Sequence, residues 1–345
     1  MLYQAELHPD IDEFYHKHGK IETIREMIMK KRKLRKGIAL KLALLAALFV
    51  VATLGTAFGL NYLFNRPQEE KKSEEPEVVA TPTPTPEPVT TSASLFMVGD
   101  ALLHTTIEAD ASNGDGTYTF NLLDRIGAIA QNYDLRYYNQ ETILGGDDLG
   151  IHGYPRFNGP QSWGDYMLSL GFNLVSTANN HCLDMNTYGL ENSVNYWKSK
   201  EGILMNGTYT SQEDYDAIPV GEINGIRYAF LSFCHDMNGL QPEQPYYVSC
   251  YDGHEEEMLN KVAQAKTMAD VVLVAMHWGD EYQTSPNEHQ TTLAQQLADA
   301  GADIIIGNHP HCIEPVQWLN EGKTICFYAL GNIVAAQYDL SKIEM

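Results

Sequence analysis

Basic residues are scarce in this 345-residue chain: 23 Lys and Arg stand against 45 Asp and Glu, a formal charge of −22 with an isoelectric point near 4.8. Proteins that bind nucleic acid without regard to sequence neutralise phosphates with lysine and arginine, so the charge argues against such a binder and no nucleic-acid partner is expected. Cysteine is scarce too, at 5 residues with no CxxC or CxxH spacing, which argues against a structural zinc knot. Five is an odd number; one pair, such as Cys234 with Cys250, is open to bridging, and the sequence does not choose. Charged residues make up only 20% against 44% hydrophobic ones, which excludes both wholesale disorder and a polytopic transporter.

Charge is missing altogether from Leu42 to Leu60. Set within residues 37–64, this apolar run suffices to cross the roughly 30 Å hydrocarbon layer as one helix. A cleaved signal peptide would start nearer Met1 and have a shorter apolar run. The basic block KKRKLRK at Lys30–Lys36 keeps the preceding side cytoplasmic by the positive-inside rule. Residues 1–36 are then a cytoplasmic segment beside the lipid bilayer. Residues 65–93, with TPTPTPEP at Thr81–Pro88, form a Pro/Glu-rich extracytoplasmic linker, because alternate prolines favour an extended spacer. The expected arrangement is a single pass through the cell membrane with a domain of residues 94–345 outside the cell.

In that domain short apolar runs alternate with amphipathic stretches. Strands are expected at Leu95–Val98, Leu135–Tyr138, Leu174–Ser176, Tyr228–Phe233, Val271–Met276, Ile304–Ile306 and Ile325–Ala329. Helices are expected at Trp163–Leu170, Tyr188–Lys200, Glu255–Met268 and Glu288–Ala300, the last stopped by Gly301. This alternation predicts an α/β layered domain. Five of the strands lead into metal-ligand residue types: Asp100, Glu141, Asn180 with His181, His277, and His309 with His311. Ligands of open α/β sheets gather beyond the carboxyl ends of the strands, so these residues should converge on one site. An extended His-x-His would send both imidazoles to one face. Oxygen and nitrogen donors without thiolate suit one or two divalent ions such as Mn, Zn or Fe. Such ions would polarise a phosphoryl or acyl oxygen.

The stretches LFMVGDALLH (95–104), YYNQETIL (137–144), STANNHCLD (176–184), the long run from Met276 to Gln317, and FYALGNIV (327–334) resemble the CapA (PgsA-like) family of capsule and poly-γ-glutamate synthesis proteins. That family is similar to the calcineurin-like metallophosphoesterases. The resemblance implies a four-layer α/β/β/α sandwich of two mixed sheets covered by helices, and a membrane-anchored domain outside the cell. It sets Asp100 at the first metal aspartate, Glu141 at the bridging carboxylate and Asn180 at a metal-binding amide. His181 becomes the group that contacts substrate or moves a proton, and His277, His309 and His311 are further metal ligands. Phosphoesterases have Asp-x-His at the first strand, whereas here the nearest histidine is His104, at a different spacing. The resemblance also implies an anionic envelope polymer as substrate and membrane synthase subunits as partners. The activity is then a metal-dependent hydrolase or transferase, or else the non-catalytic role of an accessory subunit.

Other residues carry two readings. Asp184 either orients His181 or caps the helix near Tyr188. Asp280 and Glu281 read as a solvated loop, Cys182 and Cys312 as packed thiols, and the four tryptophans, Trp318 among them, as core or cleft wall. His235 and the remaining histidines read as surface or core residues.

Overall fold

The computed structural model describes residues 90–337. The cytoplasmic segment, the membrane helix and nearly all of the linker expected from the sequence lie outside the described residues. No helix among those described is long and apolar enough to cross a membrane.

The described strands are β1 (Leu95–Ala101), β2 (Leu135–Gln140), β3 (Leu174–Ser176), β4 (Leu204–Asn206), β5 (Val220–Ile223), β6 (Ile226–Cys234), β7 (Val271–His277), β8 (Ile304–Asn308), β9 (Val316–Leu319), β10 (Thr324–Phe327) and β11 (Asn332–Val334). They form two sheets, ordered β11-β1-β2-β3-β4 and β5-β6-β7-β8-β10-β9. The first is parallel throughout. The second is parallel at its centre and antiparallel at both edges, so the expected pair of mixed sheets holds for one of the two.

Successive residues of a strand point to opposite faces, and the apolar runs are continuous because both faces are buried. Leu135, Tyr137 and Leu174 of the first sheet share a core with Phe230, Leu273, Ala275 and Ile306 of the second. Their sequence neighbours point outward to the helices. Tyr138 and Val175 meet Trp163 and Met167 of α3 (Gln161–Ser169) and Trp197 of α4 (Asn186–Lys198). Leu231, Val274 and Ile305 meet Val262 and Ala265 of α6 (Glu255–Met268) and Leu293 and Leu297 of α7 (Glu288–Ala300). The order helix, sheet, sheet, helix is the expected four-layer sandwich. Three shorter helices were not expected: α1 (Thr105–Ala111), α2 (Asp124–Ala130) and α5 (Gln212–Asp216).

Helix α7 shows how local sequence sets an element. Asn287 Oδ1 accepts from the Gln290 backbone N at 2.9 Å, and Gln290 Oε1 accepts from the Asn287 backbone N at 2.9 Å. This reciprocal cap satisfies two donors that a helix start otherwise leaves open. The far end stops at Gly301, whose φ of 110° suits glycine. Trp318, expected in the core or a cleft wall, instead stands exposed on β9, an edge strand of the second sheet.

Candidate metal centre

Strand ends from both sheets deliver the site. Asp100 lies near the end of β1, Glu141 directly after β2, Asn180 and His181 beyond β3, His277 at the end of β7, and His309 and His311 after β8. Two glycines permit this convergence. A Cβ on Gly99 would lie 1.8 Å from the Gly331 carbonyl oxygen, and one on Gly307 would lie 1.7 Å from that of Tyr328. Only a residue without a side chain lets these backbones meet. The expected extended His-x-His is corrected: His309 and His311 have φ of 98° and 60°. Non-glycine residues in that region carry strain, which collects at functional sites where the surrounding structure enforces it.

All six expected metal ligands are buried, and five of them form two overlapping groups. Glu141, His277 and His309 offer ligand atoms within 4.8 Å of one another, and so do Asp100, Glu141 and His311. Glu141 belongs to both. Asn180 joins the first group through its Oδ1, 2.9 Å from His277 Nε2. That nitrogen also lies 3.1 Å from His309 Nδ1 and 3.6 Å from Glu141 Oε1. A proton shared between two rings cannot serve this many acceptors. Both Glu141 oxygens are in fact buried without a hydrogen-bond partner. A cation among these atoms removes the conflict, so the residues fit a divalent ion.

Electrostatics agree with that fit. Burial pushes His277 and His309 well below the usual imidazole range, with the neighbouring histidines adding to the effect, so both rings keep neutral, ligating forms. Burial drives Glu141 well above the ordinary carboxylate range. His311 moves the other way. Burial works against its charge, but Glu141 and Asp100 outweigh that and push it up to about 9. Its Nδ1 lies 3.3 Å from Asp100 Oδ2 and its Nε2 3.8 Å from Glu141 Oε1. A protonated His311 thus balances carboxylate charge in the metal-free protein.

His181 lies beside this cluster on the wall of a cavity of about 410 Å³ that Tyr154, Arg156, Asn180, Asp184 and Glu281 also line. Asp184 Oδ2 accepts from the Phe157 backbone N at 2.7 Å and sits 2.7 Å from His181 Nδ1. A carboxylate only accepts, so the proton sits on Nδ1 and Nε2 is left free to exchange one. Of the two readings of Asp184, the structure sets its carboxylate against His181 and not at the helix start, where Met185 is the cap residue. Glu281, read as solvated loop, reaches the cavity, whereas Asp280 accepts from Asn287 Nδ2 at 2.8 Å outside it. His104 belongs to neither group; its Nδ1 accepts from the Ala336 backbone N at 3.1 Å.

Three further residues complete the site. Asn139 donates from Nδ2 to Asp100 Oδ1 at 2.8 Å, Asn332 Oδ1 lies 2.9 Å from His311 Nδ1, and the His235 ring centroid lies 5.4 Å from that of His309. Asn139 and Asn332 sit inside the NQE and LGN stretches already singled out. His235 follows β6, the one long strand whose end the reading of the sequence passed over.

Residues 94–337 match the family model described as "Bacterial capsule synthesis protein PGA_cap". The chain is 32% identical over 178 residues to the PGA biosynthesis protein CapA of Bacillus subtilis, covering 49% of this chain and 44% of that one. It is 33% identical over 174 residues to the capsule biosynthesis protein CapA of Bacillus anthracis, covering 48% and 41%. The matches thus span less than half the length of each relative. Among solved structures, a putative 5'-nucleotidase from Staphylococcus aureus aligns at a TM-score of 0.45 and 14% identity over 68% of this chain and 48% of that one. On the match across residues 94–337, which carries every ligand described above, the chain belongs to the bacterial capsule synthesis protein PGA_cap family.

Proposed function

We propose that this protein acts in the synthesis of an anionic envelope polymer of the poly-glutamate type, as a divalent-cation-dependent hydrolase or transferase anchored to the cell membrane with its domain outside the cell. One observation carries the catalytic part: Glu141 is shared by two buried ligand groups while both its oxygens lack hydrogen-bond partners. The names of the Bacillus relatives support the polymer, and the uncharged run Leu42–Leu60 behind its basic block supports the anchor.

Glu141, His277, His309 and Asn180 would hold one divalent ion, and Asp100, Glu141 and His311 a second. When bound, such ions supply Lewis-acid charge at the scissile oxygen. The chain's own part is the proton. Asp184 fixes the His181 tautomer, and Nε2 gives or takes a proton at the cavity wall. Phe157, edge-on to the His181 ring at 4.7 Å between centroids, keeps the imidazole from rotating. Arg156 is the only lysine or arginine lining that cavity and is the group available to a substrate carboxylate or phosphate.

A second reading is favoured by the displacement of His104 from both ligand groups, which departs from the phosphoesterase pattern. In it the domain is an accessory subunit that holds the polymer through bound cations and docks a membrane synthase. Complementation of a deletion strain separates the two. Polymer lost with His181→Ala while metal content and folding stay normal supports the enzyme; full polymer output from that variant refutes it.

A further inference from the structure

The segment 235–249 walls two cavities beside the candidate metal centre. Asn238 and Leu240 line the smaller one, and His235, Met237 and Tyr246 line a neighbour of about 510 Å³. The two ends of this segment meet. Cys234, the last residue of β6, pairs with Cys250 through a parallel bridge. The Cys234 backbone N donates to Ser249 O at 3.0 Å, and the Tyr251 backbone N donates to Cys234 O at 2.9 Å. Residues paired in this way have side chains on the same face and Cα atoms about 4.8 Å apart. That separation lies inside the range of about 4.4–6.8 Å that a disulfide needs.

We propose that Cys234 and Cys250 are a disulfide-forming pair that closes the base of the 235–249 loop and so fixes the wall of both cavities. Both thiols are reduced in this structure. Cys250 is half-buried on the wall of the larger cavity, whereas Cys234 is fully buried. Contact with the Cys234 thiol holds Cys250 below the ordinary thiol range in spite of its burial, which makes it the attacking sulfur. The Cys250 thiolate attacks a small-molecule disulfide, forming a mixed disulfide and releasing one thiol. Cys234 then loses its proton and attacks the Cys250 sulfur, releasing the second thiol. The two cysteines are oxidised by two electrons, and the incoming disulfide is reduced to two thiols. Cys182 also contacts Cys234 and is the competing partner.

The test uses the full chain, exposed to oxidised glutathione, alkylated, and digested with chymotrypsin, which cuts between the two cysteines at Tyr246 or Tyr247. Mass spectrometry should find a Cys234–Cys250 linked peptide in the wild type and in Cys182→Ser, and none in Cys250→Ser. Reduction should lower the melting temperature by roughly 5 °C or more and speed proteolysis within 235–249. Recovery of Cys234 and Cys250 both alkylated after oxidation overturns the proposal, and so does a Cys182–Cys234 link. Neither readout depends on the protein's activity.

Discussion

Glu141→Gln separates two consequences of a shared carboxylate. In the metal-free protein Glu141 is fully buried and neither oxygen has a partner. Leaving a buried polar group unsatisfied costs about 1–3 kcal/mol, and more when it is charged. The glutamine keeps the shape and removes the charge that burial penalises, while Asp100, 3.3 Å from His311 Nδ1, still balances that ring, so the metal-free variant should be more stable than the wild type by about 1–3 kcal/mol. At about 2–4 °C per kcal/mol for a domain of this size, its melting temperature should rise by roughly 2–12 °C. Divalent cation reverses the order. At a concentration 100 times Kd, each occupied site stabilises the wild type by about 2.7 kcal/mol, a rise of roughly 5–11 °C. The variant should show no such rise. Because Glu141 lies in both groups, it should retain no metal after dialysis, whereas Asp100→Asn and His277→Ala, each touching one group, should retain one ion. Thermal unfolding of the full chain with and without Mn or Zn, together with elemental analysis, reads all of this. Wild-type metal content in Glu141→Gln, or a metal-free variant no more stable than the parent, would refute the shared-ligand reasoning.

Glu314 predicts a pH dependence of stability. Burial pushes its carboxyl up to about 7, although Oε2 accepts from Gln290 Nε2 at 2.8 Å. The folded protein therefore holds this proton more tightly than the unfolded chain, and stability falls as pH rises from about 4.5 to about 7. At 1.36 kcal/mol per tenfold change in proton affinity the penalty above pH 7 is at most about 3 kcal/mol, and less with solvent near the group. Glu314→Gln should be more stable than wild type at pH 8, with the gap closing by pH 4.5 in urea titrations; a gap that does not vary with pH contradicts this. Gly307→Ala sets a Cβ against the Tyr328 carbonyl at 1.7 Å, so it should lose about 3 kcal/mol or more, or fail to give folded protein, by circular dichroism. Asp184→Asn should lower kcat for cation-dependent hydrolysis of a generic phosphodiester by roughly 10- to 100-fold with KM little changed, since it orients His181 rather than binding substrate.

The ligands were legible because each follows an apolar run buried on both faces, and such a run is hard to mistake. Glu255–Met268 and Glu288–Ala300 were legible for a similar reason: a run of helix formers, and for the second a stop at Gly301; the cap at Asn287 emerged only in the structure. What stayed hidden depends on tertiary contact. β4, β9 and β11 have three or four residues and take their strand character from the neighbour they pair with. The strand expected over Ile325–Ala329 ends at Phe327 because the chain then turns to meet Gly307, whose carbonyl oxygen accepts from the Leu330 backbone N at 3.1 Å. His235 looked idle because its relevance is its distance to His309, 74 positions away.

The site is divided between the sheets, and that division ties the chemistry to the core. Asp100, Glu141, Asn180 and His181 come from the first sheet, and His277, His309 and His311 from the second. Polar links cross the seam: Asn308 Nδ2 donates to Tyr137 Oη at 2.7 Å, and the His309 backbone N donates to Asp100 Oδ2 at 3.1 Å. Tyr137 in turn packs edge-on against Phe230 across the inter-sheet core at 6.0 Å between centroids. A close-packed core has few intermediate arrangements, so the spacing between the sheets is fixed by Tyr137, Phe230 and their neighbours rather than by the ligands. The two groups that share Glu141 can therefore be held ready before any ion arrives, with protonated His311 balancing part of the buried negative charge. Strain at His309 and His311 is tolerable for the same reason: the surrounding packing and cross-sheet hydrogen bonds enforce a backbone conformation that an isolated His-Pro-His would leave.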